Sequence, residues 1–400
     1  MAVMILPGAE WRQREGLAEL TAALGADAAR YVGGAVRDTL LGIAVTDIDI
    51  ATRHQPEDVV DIVRRAGFKP VPTGIAHGTI TAVLPSGPVE ITTLRRDVST
   101  DGRHATIAFT DDWREDASRR DFTMNALYAD PLTGEVIDYF GGLDDLAARH
   151  VRFIGDPLRR IAEDHLRILR FFRFLARFGD APDAPALAAC TQRARDLMAL
   201  SRERIADELL KLLVARDAVR VLRLMIERDI LLPVIPEVDA AGVARLETLA
   251  ANEAAQGIAA DPIRRLAALL PADPAINEAV GARLKLSNAR RKRLASAFQS
   301  IGVEGAPALA YRIGSEGAVD RLLLSGDDVG AVADWQPPVL PVSGGLLVQR
   351  GIGRGPDVAR LLRQVEDRWI AEGFPQADRA EAIADAVVAQ FLGEESSKNA

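Results

Sequence analysis

The run TDIDIAT, residues 46–52, constrains this chain more than any other segment. Successive strand side chains point to opposite faces, so burying Ile48 and Ile50 puts Asp47 and Asp49 together on the other face. Two neighbouring carboxylates repel unless a cation lies between them. A hard divalent ion resolves that conflict, and Mg²⁺ keeps coordination positions open for water and phosphate oxygens. A sheet carrying this strand would bury one face and leave the acidic face open.

The flanking segments suit that demand. Gly33 and Gly34 stand between a strand signal and a helix signal, where backbone amides and a helix N-terminus can approach a triphosphate, and Arg37 adds fixed positive charge. Glu90, between Val89 and Ile91, offers a third carboxylate if its strand lies beside the first. In RRDFTMNAL, residues 119–127, Arg119 and Arg120 can neutralise phosphate, while Asp121 and Asn125 can hydrogen-bond ribose hydroxyls. A DxD pair or a GG alone more often marks an exposed strand face or a turn. Their order here, GGxxRD, then hDhD, then hEh, reverses those odds.

The first third alternates short β-rich runs with helical patterns. Strands are predicted at 30–32, 46–52, 78–84, 89–94, 125–129 and 135–139, and helices at 35–41 and 56–65, the latter with Pro56 and acidic residues in its first turn. After Gly141 and Gly142 apolar residues recur at helical spacing, which predicts an all-α remainder. Residues 156–178, DPLRRIAEDHLRILRFFRFLARF, give a stripe of Ile161, Leu166, Leu169, Phe172 and Leu175 for burial. Arginines 159, 160, 167, 170, 173 and 177 crowd the remaining surface, where ion pairs with Glu163 and Asp164 are the ordinary structural outcome.

Composition excludes several classes. A chain of 400 residues is too long for one ordinary domain, and no stretch approaches the roughly 20 apolar residues that span a bilayer, so a soluble protein of several units is expected. One cysteine, Cys190, rules out an internal disulfide, and the N-terminus lacks the features of an export signal; both point to a reducing cytoplasm. The net charge of −8 argues against a surface coated for indiscriminate nucleic-acid binding, so any RNA contact has to be local. None of the five histidines precedes an aspartate, and no GxxxxGK[ST] loop occurs, which removes HD phosphohydrolase and P-loop chemistry.

At these motifs the chain resembles the nucleotidyltransferase superfamily that includes DNA polymerase beta, and more closely the class II tRNA nucleotidyltransferase and bacterial poly(A) polymerase family. The matching motifs run from about Tyr31 to Glu208, with softer likeness beyond. The resemblance implies an α+β N-terminal nucleotidyltransferase head with a small mixed β-sheet over residues 1–140. An all-α neck, 141–232, would follow with base-recognition and RNA-binding segments, then an all-α body and tail, 233–400, that bind tRNA. It implies that Asp47 and Asp49 bind two Mg²⁺ ions with Glu90 as the third catalytic acid, and that Gly33, Gly34 and Arg37 hold the triphosphate. Arg119, Asp121 and Asn125 complete the nucleotide site, and Asp164 and Arg167, three residues apart on one helix face, would select CTP and ATP. Arg170 and Arg173 are RNA-binding candidates. The run Arg290, Arg291, Lys292, Arg293 is either a solvated helix face or a tRNA-backbone contact.

Three further motifs take family roles. Glu203, Arg204 and Glu208 would buttress the neck, Gly141 and Gly142 would form a hinge, and residues 95–118 would be a flexible loop whose presence favours complete CCA addition. The implied activity is template-independent transfer of CMP and AMP from CTP and ATP to the tRNA 3′ end, with release of pyrophosphate by two-metal catalysis. A poly(A) polymerase and an A-adding or CC-adding specialist share these motifs, and the acidic pI weighs against the first. A non-catalytic tRNA-binding protein is the reading of another class, opposed by three converging acids. Neither a membrane nor an obligate protein partner is called for.

Overall fold

The computed structural model describes residues 3–100, 105–299, 305–353 and 355–398. Contacts divide the chain into two compact units, Met1–Val238 and Asp239–Ala400.

The first unit contains β1 (Ala29–Val32), β2 (Asp49–Thr52), β3 (Lys69–Gly74), β4 (Thr79–Leu84), β5 (Gly87–Thr93), β6 (Arg95–Thr100), β7 (Ala105–Phe109), β8 (Leu127–Ala129) and β9 (Val136–Asp138). Seven of these form one sheet in the order β3-β4-β5-β2-β1-β8-β9. It is mixed, because β2 runs antiparallel to β1 but parallel to β5. A parallel pair needs a crossover, supplied by a helix at Pro56–Arg65 and the β3–β4 hairpin. That helix spans the residues its periodicity predicts, buries Val59 and Val63 completely, and stops before Gly67, whose φ of 85° suits glycine. The register sets Asp49 beside Glu90 and Ile50 beside Ile91.

Several elements depart from expectation. Regular strand geometry in 46–52 begins only at Asp49, although the Glu90 amide still donates to the Ile48 carbonyl at 3.0 Å and extends the pairing. The strand at Lys69–Gly74 carries Pro70 and Pro72, which hide it from sequence patterns; it lies on the sheet edge, where a missing N–H is tolerated. Within 95–118, expected as a loop, the described residues form the antiparallel pair β6–β7 and a helix at Trp113–Ser118. Residues 101–104 lie outside the described residues.

Helices then dominate, at Gly142–Ala147, Pro157–Glu163, Arg167–Phe178, Ala184–Gln192, Arg202–Leu213 and Ala218–Glu227, with one small parallel pair joining His150–Val151 to Ala181–Pro182. Residues 156–178 are two helices: Asp164 is extended, with φ −151° and ψ 109°. The expected stripe is buried on both sides of the break, Ile161, Leu169, Phe172 and Leu175 at 1% exposure or less and Leu166 at 8%. Phe122 packs on Phe153 and Phe174 at 4.9 Å between ring centres, which locks the RRDF segment onto the arginine-rich helix. Gly142, one of the two glycines expected at a hinge, is required by packing, since a Cβ there would collide with the Thr123 carbonyl.

In the second unit helices are the regular secondary structure of the described residues. Its core gathers Leu361, Val365 and Trp369 of the helix Pro356–Ala371 against Ala380, Ile383 and Val387 of Ala377–Lys398. A mixed-sheet head with a helical remainder is thus the fold of the chain. Among the described residues no helix is long and apolar enough to cross a membrane.

Candidate active site

A cavity of about 500 Å³ opens in the first unit. Gly33, Gly34, Arg37 and Asp49 line it from the sheet side, Arg119, Arg120, Asp121 and Asn125 from the RRDF segment, and Asp164, Arg167 and Arg170 from the helices. Arg95 and Phe174 also line it. Residues widely separated in sequence therefore share one enclosure.

Gly33 has φ 68° and ψ −121°, a conformation closed to residues with a Cβ. Its amide donates to the Leu127 carbonyl at 3.1 Å, so Gly33 contributes its conformation and not the free amide expected of it. The turn sends the chain into the helix Gly34–Leu40 and carries Arg37 inward. Arg37 is buried; burial lowers its pKa, and Asp38, 2.7 Å from Nε, opposes that. Its guanidinium lies 4.4 Å from the Phe178 ring centre.

From Arg37 a hydrogen-bonded relay crosses the cavity. Arg37 Nη1 donates to Asn125 Oδ1 at 2.5 Å, Asn125 Nδ2 to Asp121 Oδ1 at 2.9 Å, and Arg170 Nε and Nη2 to Asp121 Oδ2 at 2.8 and 2.7 Å. Arg170 and Arg173 both donate to Glu208, at 3.4 and 2.5 Å. Burial would raise the Asp121 carboxyl, but Arg170, Asn125 and the Phe122 amide hold it far below the usual carboxylate range. Asp121 and Asn125 are thus held fixed in the cavity wall by Arg37, Arg170 and the Phe122 amide. Arg170 and Arg173, the RNA-binding candidates, are tied to the buried acids Asp121 and Glu208, and of the two Arg170 lines this cavity.

The acidic wall is short of positive charge. Burial, with Glu90 and then Asp47, pushes the Asp49 carboxyl up to about 6 against the pull of Arg120. Asp47 is exposed and accepts from the Thr46 hydroxyl at 3.1 Å; neither it nor Glu90 lines the cavity. Among the described residues no three carboxylate, imidazole or thiol groups converge to enclose an ion alone. The donors are hard oxygens on an open platform, which fits Mg²⁺ completing its shell with phosphate oxygens and water.

At the base-recognition end, Asp164 Oδ2 accepts from Arg204 Nη2 at 2.8 Å. Arg167 donates to Glu163 Oε2 at 2.6 Å and to the carbonyls of Arg160 and Arg119 at 2.9 and 3.0 Å. The pair does not share one helix face, because Asp164 sits in the break and Arg167 begins the next helix; both still line the cavity.

Sequence reasoning missed Asp116. It is 1% exposed, accepts from Arg119 at 2.7 Å, Arg120 at 3.2 Å and the Tyr128 hydroxyl at 2.6 Å, and so aims both arginines. Its spacing of three and four residues before them is the available signal. The Arg204–Asp164 contact had no such signal. In the second unit, Arg290 and Lys292 are exposed, whereas Arg291 pairs with Glu278 and Arg293 with Asp261, Asp320 and Glu316. Two of these four cations are therefore engaged by neighbouring acids.

Residues 29–152 match a family described as the Poly A polymerase head domain, and residues 183–241 one described as a probable RNA and SrmB-binding site of polymerase A. The chain is 34% identical over 372 residues to CCA tRNA nucleotidyltransferase 1, mitochondrial, of Homo sapiens, covering 86% of this chain and 83% of that protein. It is 38% identical over 204 residues to a CCA-adding enzyme of Anoxybacillus flavithermus, 50% of each chain. The crystal structure of the Bacillus stearothermophilus CCA-adding enzyme in complex with CTP matches with a TM-score of 0.69 at 28% identity, covering 92% of this chain and 94% of that one.

Proposed function

The chain belongs to the CCA tRNA nucleotidyltransferase family, and we propose that it adds CMP and AMP from CTP and ATP to the tRNA 3′ end without a template, releasing pyrophosphate. One observation carries the reading: the glycine turn, the acidic strand, the RRDF segment and the Asp164–Arg167 pair line a single cavity. Its volume of about 500 Å³ falls in the range of small-molecule sites.

In this reading Arg37, Arg119 and Arg120 receive the triphosphate, Asp121 and Asn125 face the ribose, and Asp164 with Arg167 meets the base edge as acceptor beside donor. The tRNA 3′ oxygen forms a bond to the α-phosphorus while the bond to the bridging oxygen breaks, and pyrophosphate carries away the charge. Asp47 and Asp49, with Glu90 alongside, would hold two Mg²⁺ ions, which when bound lower the pKa of the hydroxyl and neutralise the triphosphate. Arg204 and Glu208 fix Asp164 and Arg170 so that little reorganises on nucleotide binding. Residues 1–140 serve as catalytic head, 141–232 as neck and 233–400 as body and tail, with Arg290 and Lys292 available to RNA. The single, buried Cys190 supports a reducing, cytoplasmic setting.

The test is addition of labelled CTP and ATP, separately and together with Mg²⁺, to tRNA transcripts lacking CCA, ending in C or ending in CC. Completion to CCA and arrest on all three is expected. A second reading draws on the matched head family, named for poly(A) polymerase; long A tails on any RNA would establish it. CC-only or A-only products would mark a specialist, and tRNA binding without incorporation a non-catalytic protein.

A further inference from the structure

A short segment precedes residues 29–152, the part of the chain matched to the head family. Within it Trp11, in a 3-10 helix at Glu10–Gln13, is 6% exposed although Glu10 and Gln13 face solvent. Its indole Nε1 donates to the Thr39 hydroxyl at 2.8 Å, and that hydroxyl donates in turn to the Ala35 carbonyl at 2.7 Å. The Trp11 ring stands edge-on to Tyr31, with 4.8 Å between ring centres and 82° between planes. One buried side chain therefore contacts both the strand that leads into the Gly33 turn and the helix that leaves it.

That helix, Gly34–Leu40, has seven residues, about two turns, too few to be stable by themselves, so its orientation is set by what it touches. At about 100° per residue, Thr39 and Arg37 lie about 200° apart around its axis, back and front. The front carries the Arg37 guanidinium to Asn125 at 2.5 Å in the nucleotide site. The back is not sealed by close packing: a cavity of about 670 Å³ opens there, lined by Trp11 and Thr39 with Pro7, Arg14, Ile43 and Val45. Beside such a space a directional hydrogen bond, and not packing alone, resists rotation of the helix. At a side-chain radius of about 5–6 Å, a rotation of about 10° displaces the tip by about 1 Å, a misplacement large enough to matter in a reacting site.

Taking the proposed activity as its basis, we infer that Trp11 is a positioning residue for the nucleotide site. Through Thr39 it fixes the rotation of the helix Gly34–Leu40, and so the aim of Arg37 at Asn125 and at the nucleotide phosphates. Trp11 is not part of that cavity's lining, so it acts through the helix.

The experiment measures CTP and ATP affinity by isothermal titration, and nucleotide addition to tRNA lacking CCA, for the full chain as wild type, Trp11→Phe, Thr39→Val and the double variant. Trp11→Phe keeps a ring against Tyr31 and removes the donor; Thr39→Val keeps the shape and removes the acceptor. A neutral hydrogen bond is worth about two- to ten-fold in an equilibrium constant, so each single variant should weaken both nucleotides by about that much. The double variant should lose no more than the larger single, because all three remove one contact. Thr39→Ser, which keeps the hydroxyl, should bind nucleotide like wild type, and tRNA affinity should stay within about two-fold throughout. In an Arg37→Ala background Trp11→Phe should have no further effect, a result that general loosening of the fold would not give. Unchanged nucleotide affinity in both single variants, or an equal loss with and without Arg37, would overturn the positioning role; if Trp11→Phe does not fold, Thr39→Val decides alone. A wild type that binds CTP and ATP yet adds neither to tRNA would refute the proposed activity, and the titrations would still decide the role of Trp11.

Discussion

Replacing Asp116 by Asn tests whether one buried carboxylate organises Arg119 and Arg120, the arginines proposed to receive the triphosphate. Burial alone would raise this carboxyl, yet Arg120, Arg119 and the Tyr128 hydroxyl hold it down to about 2, from an ordinary value of 3.8. At ~1.4 kcal/mol per pKa unit the charged form is stabilised by about 2.5 kcal/mol. Breaking a buried ion pair by removing one partner gives about 3–5 kcal/mol, and asparagine keeps part of the hydrogen bonding, so a loss of about 2–4 kcal/mol is expected. For a unit of this size the Tm should fall by about 5–12 °C. A depressed carboxyl pKa stabilises the fold fully above about pH 4 and loses that contribution as pH falls through about 2. The gap between wild type and Asp116→Asn should therefore be full at pH 7 and about halved at pH 3. Urea unfolding of both proteins at stepped pH reads this directly. A gap below about 0.5 kcal/mol at pH 7, or one unchanged at pH 3, would refute the reasoning. Nucleotide addition should fall as well, because Arg119 and Arg120 line the cavity that Asp116 organises.

Other outcomes follow from the same geometry. Asp47→Ala or Asp49→Ala should abolish nucleotide addition while tRNA affinity stays within about two-fold, and chelation should silence the wild type until Mg²⁺ is restored; full activity in either variant would remove both acids from the metal site. Arg167→Ala should change the ratio of CMP to AMP incorporation, with Arg204→Ala shifting it the same way through Asp164; a uniform rate loss with an unchanged ratio would speak against base recognition. Gly142→Ala should destabilise the first unit by about 1–3 kcal/mol, since the added methyl meets the Thr123 carbonyl; unchanged thermal unfolding would show that the backbone yields there.

Much of the molecule was determined locally by its sequence. The alternation around Ile48 and Ile50 named both isoleucines as buried, Pro56 and Gly67 bounded a helix, and the stripe from Ile161 to Leu175 named its buried side in advance. These signals are short-range, because backbone preference and side-chain periodicity act over a few residues. Only the tertiary structure decided the partners. Arg37 meets Asn125 across 88 positions, Arg170 meets Asp121 across 49, and Arg204 reaches Asp164 across 40. It also decided that two prolines could sit in a strand, because that strand is an edge, and that Asp164 breaks a helix while Arg204 holds its carboxylate. The reason is physical: which carboxylate meets which guanidinium depends on sheet order and on the Phe122–Phe174 packing that brings distant segments together, and no local propensity carries that information.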